Sequence, residues 1–184
     1  MRIITGIARG TKLNTLAGED ITRPTSERVK EGIFSAIQFD IADTRVLDLF
    51  CGSGQMALEA LSRGADSAVL IDESADAIEI IKQNAQKTNL YKSCRISRMD
   101  YSEYLKSASG KERFNIVFLD PPYTKDMENE VLKKVARADI LADNALVICE
   151  TNVDTLNHDV HGLEFIKQYK YRYTYVTIFR NTVV

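Results

Sequence analysis

An α/β fold, with a mostly parallel sheet covered by helices on both faces, is predicted by three features of the sequence. Five short apolar runs rich in Val, Ile, Leu and Phe alternate with segments of helical periodicity. A glycine-rich turn, Gly52-Ser53-Gly54, follows the first of these runs and opens a helix. The stretch from Leu163 to Asn181 alternates at period two without an intervening helix, as antiparallel edge strands do.

The elements follow in chain order. "RIITGIARGTKLNTL" reads as two short strands about a turn at Gly10, an N-terminal β-hairpin. In "ITRPTSERVKEGIFSAIQF", Pro24 precedes a capping Thr25 or Ser26 and Glu27 occupies the first turn. Val29, Ile33 and Ile37 then recur at helical spacing. Residues 1–40 are thus a hairpin-and-helix extension and residues 41–184 the α/β domain, the two forming one compact unit. In that domain "RVLDLF" is a strand and "QMALEALSRG" a helix closed by Gly64. "SAVLID" is a strand, followed by a helix that Ser74 opens. "SCRISRM" is a strand, with a short helix around Tyr101 to Leu105 after it. "FNIVFL" is a strand, "MENEVLKKVARAD" a helix and "NALVICE" a strand. Tyr169, Tyr171, Tyr173 and Tyr175, interleaved with Lys170 and Arg172, suit both strand packing and base stacking.

With 184 residues, 45% hydrophobic and 27% charged, the chain is of single-domain size and ordinary soluble composition. It has no apolar run near the ~20 residues of a membrane span and no signal-peptide pattern at its N-terminus. A cytoplasmic protein without a membrane partner is expected. Cys51, Cys94 and Cys149 share no metal or disulfide spacing and read as reduced thiols, and with only His158 and His161 no metal site is expected. The net charge is −2, but both ends are basic. Arg2, Arg9, Lys12, Arg23, Arg28 and Lys30 outnumber Glu19, Asp20 and Glu27, and Lys167, Lys170, Arg172 and Arg180 outnumber Glu164. A polyanionic partner and ordinary solvated charge both account for this asymmetry.

"DLFCGSG" ends the first parallel strand. Gly52 and Gly54 allow a sharp turn and close approach of a ligand to the backbone, and the helix behind them offers unpaired amides. "GSGQMA" also fits the loose dinucleotide pattern. Asp48 favours a ligand with an ammonium and hydroxyls over a bare phosphate, and S-adenosylmethionine has both. Asp72 ends the second strand, where an acid takes ribose hydroxyls. Asp100 follows the third strand and can accept from an adenine amine, with Met99 and Tyr101 flanking the ring. Asp120 follows the fourth, in "DPPY". Each acid alone is explicable as a turn or N-cap residue, but together they line one edge of the sheet. Pro121 and Pro122 stop the strand and stiffen the loop. A base's exocyclic amine is a weak nucleophile until fixed acceptors, the Asp120 carboxylate and the Pro121 carbonyl, pull it toward tetrahedral geometry. Tyr123 offers a ring for an extruded base. Carbon-5 pyrimidine methylation would want a cysteine in this loop, and there is none.

"MRIITGIARGTKL", "TRPTSERVKEGIFSAI", "VLDLFCGSGQMALEALSRGA" and "FLDPPY" resemble, in order and spacing, the bacterial 16S rRNA guanine-N2 methyltransferase family RsmD. That family belongs to the class I amino-methyltransferases with a (D/N/S)-P-P-(Y/F) motif. The resemblance implies a Rossmann-like, seven-stranded, mostly parallel sheet and transfer of methyl from S-adenosylmethionine to N2 of one guanine, leaving S-adenosylhomocysteine. It implies cofactor contacts at Asp48, Phe50, Gly52, Gly54, Asp72, Met99, Asp100 and Tyr101, and catalysis at Asp120, Pro121, Pro122 and Tyr123. Arg23, Pro24, Thr25 and Arg28 match the family's arginine-proline-threonine motif at the substrate entrance, and Arg2, Arg9 and Lys12 are expected on RNA. The partner implied is 16S rRNA in a small subunit or an assembly intermediate, met by a monomer rather than an obligate oligomer. Relatives often carry a glycine near the turn of the last hairpin, where this chain has Tyr171-Arg172-Tyr173, so its register stays open. A DNA adenine or cytosine amino-methyltransferase and an NAD-dependent oxidoreductase remain as alternatives.

Overall fold

The computed structural model describes residues 1–16, 27–122 and 126–183. Its centre is a seven-stranded sheet of order β3-β2-β1-β4-β5-β7-β6. The strands are β1 Arg45–Asp48, β2 Ser67–Asp72, β3 Cys94–Arg98, β4 Phe114–Leu119, β5 Leu141–Thr151, β6 Leu163–Tyr171 and β7 Thr174–Asn181. The first five are parallel, and β7 joins β5 antiparallel with β6 outside it. The helices are α1 Glu27–Ala36, α2 Gln55–Ser62, α3 Ala75–Lys87, α4 Tyr101–Ala108 and α5 Met127–Arg137.

The period-two alternation of each strand divides its apolar side chains between two cores. Val46, Leu70, Ile116, Phe118 and Ile148 face α1, α2 and α3, whereas Leu47, Val69, Val117, Leu119 and Cys149 face α4 and α5. Ile3, Ala8 and Leu13 of the N-terminal segment join the first core. Ser74 caps α3 by accepting from the Ala77 amide, as its sequence position predicts. Among the described residues no helix is long and apolar enough to cross a membrane.

The N-terminal segment turns back on itself as a hairpin with only brief pairing. A single antiparallel bridge joins Arg2 and Lys12. The intervening turn directs its amides elsewhere: Ile4 and Thr5 donate to the Glu59 carboxylate at 2.7 and 3.0 Å, and Ala8 donates to the Ser62 hydroxyl at 3.0 Å. Cross-strand backbone bonds run from Leu13 to Met1 and from Ile3 to Thr11, each at 3.0 Å, and from Gly10 to Ile3 at 2.8 Å, so the two arms pair as a short hairpin while α2 takes the remaining donors. Glu59 also meets Arg63 at 2.8 Å and Lys30 at 3.4 Å, and both Lys30 and Glu59 are fully buried. The Lys30 ammonium donates in addition to the Arg2 carbonyl at 2.6 Å. Burial is the leading influence on this ammonium and lowers its pKa, while Glu59 opposes the shift. One buried carboxylate thereby ties the N-terminal segment, α1 and α2 together. The proposed helix caps Thr25 and Ser26 lie outside the described residues.

The final hairpin settles into an antiparallel register with Tyr171 opposite Thr174 and a bulge between Phe165 and Lys167. Arg172 occupies the turn at φ 53°, a left-handed backbone that favours glycine. Tyr169 and Tyr171 pack partly buried on the first core, and the Tyr171 hydroxyl sits where a side chain on Gly32 of α1 would have to go, 2.1 Å from its Cβ position. Strand packing thus accounts for these two tyrosines. Tyr173 stands exposed at the tip.

Candidate active site

A cavity of about 350 Å³ opens at the carboxyl ends of the parallel strands. Asp48, Phe50, Gly52, Asp72, Met99, Asp100, Tyr101, Asp120, Pro121 and Pro122 all line it, so most of the sequence-predicted site converges there. The register explains the convergence. Asp48 pairs with Leu70 on one side and Phe118 on the other. Asp72 and Asp120 therefore stand two residues further along their strands, a rise of about 6.6 Å at 3.3 Å per residue. Asp48 forms the floor, with Asp72 and Asp120 on opposite walls.

Asp48 is 3% exposed, and its Oδ2 has no hydrogen-bond partner among the described residues. Desolvation raises its pKa from 3.8 to about 7; the nearby Asp72 charge adds to the shift, and the Ala57 and Phe50 amides oppose it. A buried carboxylate at the floor of a cavity suits a ligand that brings a cationic donor. Asp72 is held by the Gly52 and Ser74 amides, each at 2.9 Å from a different carboxylate oxygen. This bond fixes the glycine turn against β2. Asp100 caps α4 through Oδ1, accepting from Ser102 at 2.8 Å and Glu103 at 3.1 Å, so its turn role and its place at the cavity coexist. Phe50 and Tyr101 meet at 5.2 Å between ring centroids and form an aromatic corner beside Met99.

Some predicted residues lie elsewhere. Gly54, with φ 77°, is absent from the cavity lining; a Cβ there would meet Leu70 at 3.2 Å and Ile81 at 3.4 Å. Its left-handed backbone and its close approach to Leu70 and Ile81 both call for glycine. Arg2, Arg9, Lys12 and Arg28 are exposed and do not line the cavity. Arg2 pairs with Glu27 at 3.3 Å. Arg9 belongs to the turn docked at Ser62, the far end of α2 from the glycine loop. Eight residues of helix separate the two by about 12 Å. Arg23, Pro24, Thr25 and Tyr123 lie outside the described residues.

The sequence reading missed four contributors. Ile33 of α1 and Glu150 at the end of β5 also line the cavity. Glu150 ends "NALVICE" as the aspartates end their strands, so the same signal was present. Gln55 lines the cavity with its Oε1 buried and without a partner among the described residues. Asn84 is fully buried in α3, and its amide donates to the Ser53 carbonyl at 2.9 Å and the Asn14 carbonyl at 3.0 Å. It clamps the glycine turn to the N-terminal segment, and a lone mid-helix asparagine gives no sequence signal for that. Cys51 lines the cavity too, but burial holds its thiol well above the ordinary range and it bonds the Ile71 carbonyl, which leaves it unreactive.

The family model described as conserved hypothetical protein 95 matches residues 1–180. The chain belongs to that family. Its curated relatives include ribosomal RNA small subunit methyltransferase D of Escherichia coli K12, 34% identical over 94% of this chain and 88% of that protein. The Haemophilus influenzae protein of the same name is 32% identical, covering 84% of this chain and 80% of its own length. Among solved structures, yhhF of Escherichia coli superimposes with a TM-score of 0.86 at 30% identity, covering 98% of this chain and 97% of that one. The resemblance seen in the motifs, to the RsmD family, therefore extends over nearly the whole chain.

The raised pKa of Asp48 has a consequence for stability. Between pH 3.8 and about 7 the unfolded chain has released this proton while the folded chain keeps it. The folded state thus loses stability as pH rises through that window and stays lowered above it. Asp48→Asn is expected to stabilise the ligand-free protein at pH 8 by up to about 4 kcal/mol, and by clearly less at pH 5. Urea denaturation at the two pH values measures this. Equal stabilisation at both would show that Asp48 is not the titrating group.

Proposed function

We propose that the protein transfers the methyl group of S-adenosylmethionine to the exocyclic N2 of a guanine in small-subunit ribosomal RNA. The observation that carries this reading is a cavity lined both by Asp48, a buried carboxylate whose Oδ2 has no partner among the described residues, and by the proline-stiffened Asp120. Membership in a family whose curated relatives are named ribosomal RNA small subunit methyltransferase D supports the substrate class.

The donor set fits the cofactor along the strand order. Asp48 would hold its ammonium, and Asp72 its ribose hydroxyls with the acceptor capacity left beyond two amide bonds. Asp100 would take the adenine amine on the oxygen not used in capping. Phe50, Met99 and Tyr101 would enclose the adenine ring. The bound donor supplies a methyl group on a sulfonium sulfur that leaves with the bonding electrons as a neutral thioether.

On the other wall, Asp120 and the Pro121 carbonyl accept from the two hydrogens of the target amine. Their directions draw the nitrogen lone pair out of the ring's conjugation and aim it at the methyl carbon. As the nitrogen–carbon bond forms, the amine loses one of its protons, which passes to water. Tyr123, two residues further along the sequence, would stack on the base. The transfer as written uses neither a cysteine nor a metal ion. The setting expected is the cytoplasm, where a monomer meets its RNA in a small subunit or an assembly intermediate.

The RNA around the target base meets the rim. The tip of the β6–β7 hairpin lies there, since Tyr175 pairs with Thr151 at the carboxyl end of β5. Lys170 lies over the Tyr175 ring at 5.1 Å and Arg172 over Tyr173 at 5.6 Å, giving exposed cations beside aromatic faces. These residues are better placed for RNA than Arg9. Lys170→Ala with Arg172→Ala is expected to lower the salt dependence of RNA binding by about 0.7–0.9 per lost phosphate contact. Arg9→Ala should change it less, and the reverse ranking would place the RNA on the N-terminal segment.

The reading of Asp120 as a hydrogen-bond acceptor is tested by single-turnover methylation of small ribosomal subunits. Asp120→Asn keeps an acceptor oxygen and should retain measurable turnover. Asp120→Ala should lose about 10²–10³-fold, with affinity for the methyl donor unchanged in calorimetry. Equal inactivity of the two variants would make Asp120 an obligatory proton acceptor. An Ala variant at wild-type rate would remove it from the site.

A further inference from the structure

The carboxylate row continues one strand beyond Asp120. On β5, Leu119 faces Cys149, so continuing the parallel register by one residue sets Asp120 beside Glu150. Adjacent strands lie about 4.8 Å apart. Glu150 is 7% exposed, lines the cavity, and lies on the same face of β5 as Ile148, where the neighbouring positions are apolar. Ile33, Phe118 and Ile148 line the cavity around it, an apolar slot suited to the faces of a flat ring. The cofactor contacts assigned above, at Asp72 and Asp100, lie on the opposite wall. Glu150 is a further cavity carboxylate, beside the acceptor proposed for the target amine.

We propose that Glu150 selects guanine by accepting the hydrogen on ring nitrogen N1 while Asp120 accepts from the neighbouring N2 amine. This inference rests on the reading of the site as a base-amine methyltransferase. Guanine presents N1–H and the N2 amine side by side on one edge, two donors that match two adjacent carboxylates. Adenine and cytosine present their amines beside an unprotonated ring nitrogen, itself an acceptor. A carboxylate facing that nitrogen repels it, so Glu150 favours guanine and also disfavours its competitors. The four aspartates alone do not make this distinction, because an acceptor at Asp120 serves any exocyclic amine.

The test uses 2-aminopurine, which keeps the amine at position 2 and lacks the N1 hydrogen. Small-subunit RNA is prepared with guanine or 2-aminopurine at the nucleotide that the wild-type protein methylates, and single-turnover rates are compared for wild type, Glu150→Gln and Glu150→Asp. Wild type is expected to prefer guanine, and Glu150→Gln to slow the guanine reaction about 10- to 100-fold, the scale of one charge-assisted hydrogen bond. The 2-aminopurine rate should rise, because glutamine removes the repulsion and its amide can donate to the bare N1, so the preference collapses. Glu150→Asp, which keeps the carboxylate, should preserve part of the preference. Unchanged melting temperature and affinity for the methyl donor in calorimetry separate this from misfolding; should Glu150→Gln misfold, the wild-type and Glu150→Asp preferences decide. A Glu150→Gln protein that keeps the wild-type ratio of guanine to 2-aminopurine rates overturns the inference and leaves the proposed activity standing. A wild-type or Glu150→Asp protein indifferent to the N1 hydrogen overturns it equally. A wild-type protein that methylates no guanine in small-subunit RNA overturns both.

Discussion

Parallel pairing of β2, β1, β4 and β5 in fixed register is the constraint on which the site depends. Because side chains alternate along each strand, the residue two beyond a paired position returns to the same face. Asp72 and Asp120 are each two residues past a partner of Asp48, and Glu150 continues the row on β5. A slip of one residue in any of these pairings would turn a carboxylate toward α4 and α5 and close that part of the cavity. The hydrophobic cores on both faces, with Val46, Phe118 and Ile148 against one helix layer and Leu47, Val117 and Val147 against the other, lock the register. Core packing and chemical geometry are therefore one property of this sheet.

Polar contacts then brace the loops that the sheet presents. Asp72 holds the Gly52 amide, and Asn84 holds the Ser53 carbonyl from behind. Asn84 also fastens the N-terminal segment at Asn14, and Leu16 reaches the cavity just beyond it. At the other end of α2, Glu59 fixes the same segment through two amides and the Lys30 ammonium. The segment runs from the buried ion cluster to the cavity, and α1 contributes Ile33 to the same wall. Bracing of this kind keeps a site formed beforehand, so that binding does not have to order it.

Much of this was legible in the sequence. The alternation of apolar runs with helical segments gave the strands and helices, and strand ends that carry acids gave most of the cavity. What escaped has physical causes. The N-terminal hairpin is shorter than its strand-suited residues suggest, because a carboxylate on α2, far along the chain, takes the amides of Ile4 and Thr5. Gly54 carries the same signal as Gly52, yet only the fold shows that Leu70 and Ile81 leave little room for a side chain there. The basic residues at the N-terminus could be counted but not placed, and the structure sets Arg9 at the end of α2 away from the glycine loop. Glu150 ends its strand as the aspartates end theirs, so its place in the row is readable in the sequence.

The central claim is that two walls of carboxylates bring a methyl donor and a guanine amine together in one cavity. It is tested most directly by incubating the purified protein with isotopically labelled S-adenosylmethionine and small ribosomal subunits from a strain lacking its gene, then mapping the nucleosides by mass spectrometry. The account predicts label in N2-methylguanosine at a single position of the small-subunit RNA. Label confined to another base, to another atom of guanine or to no nucleoside at all would contradict it.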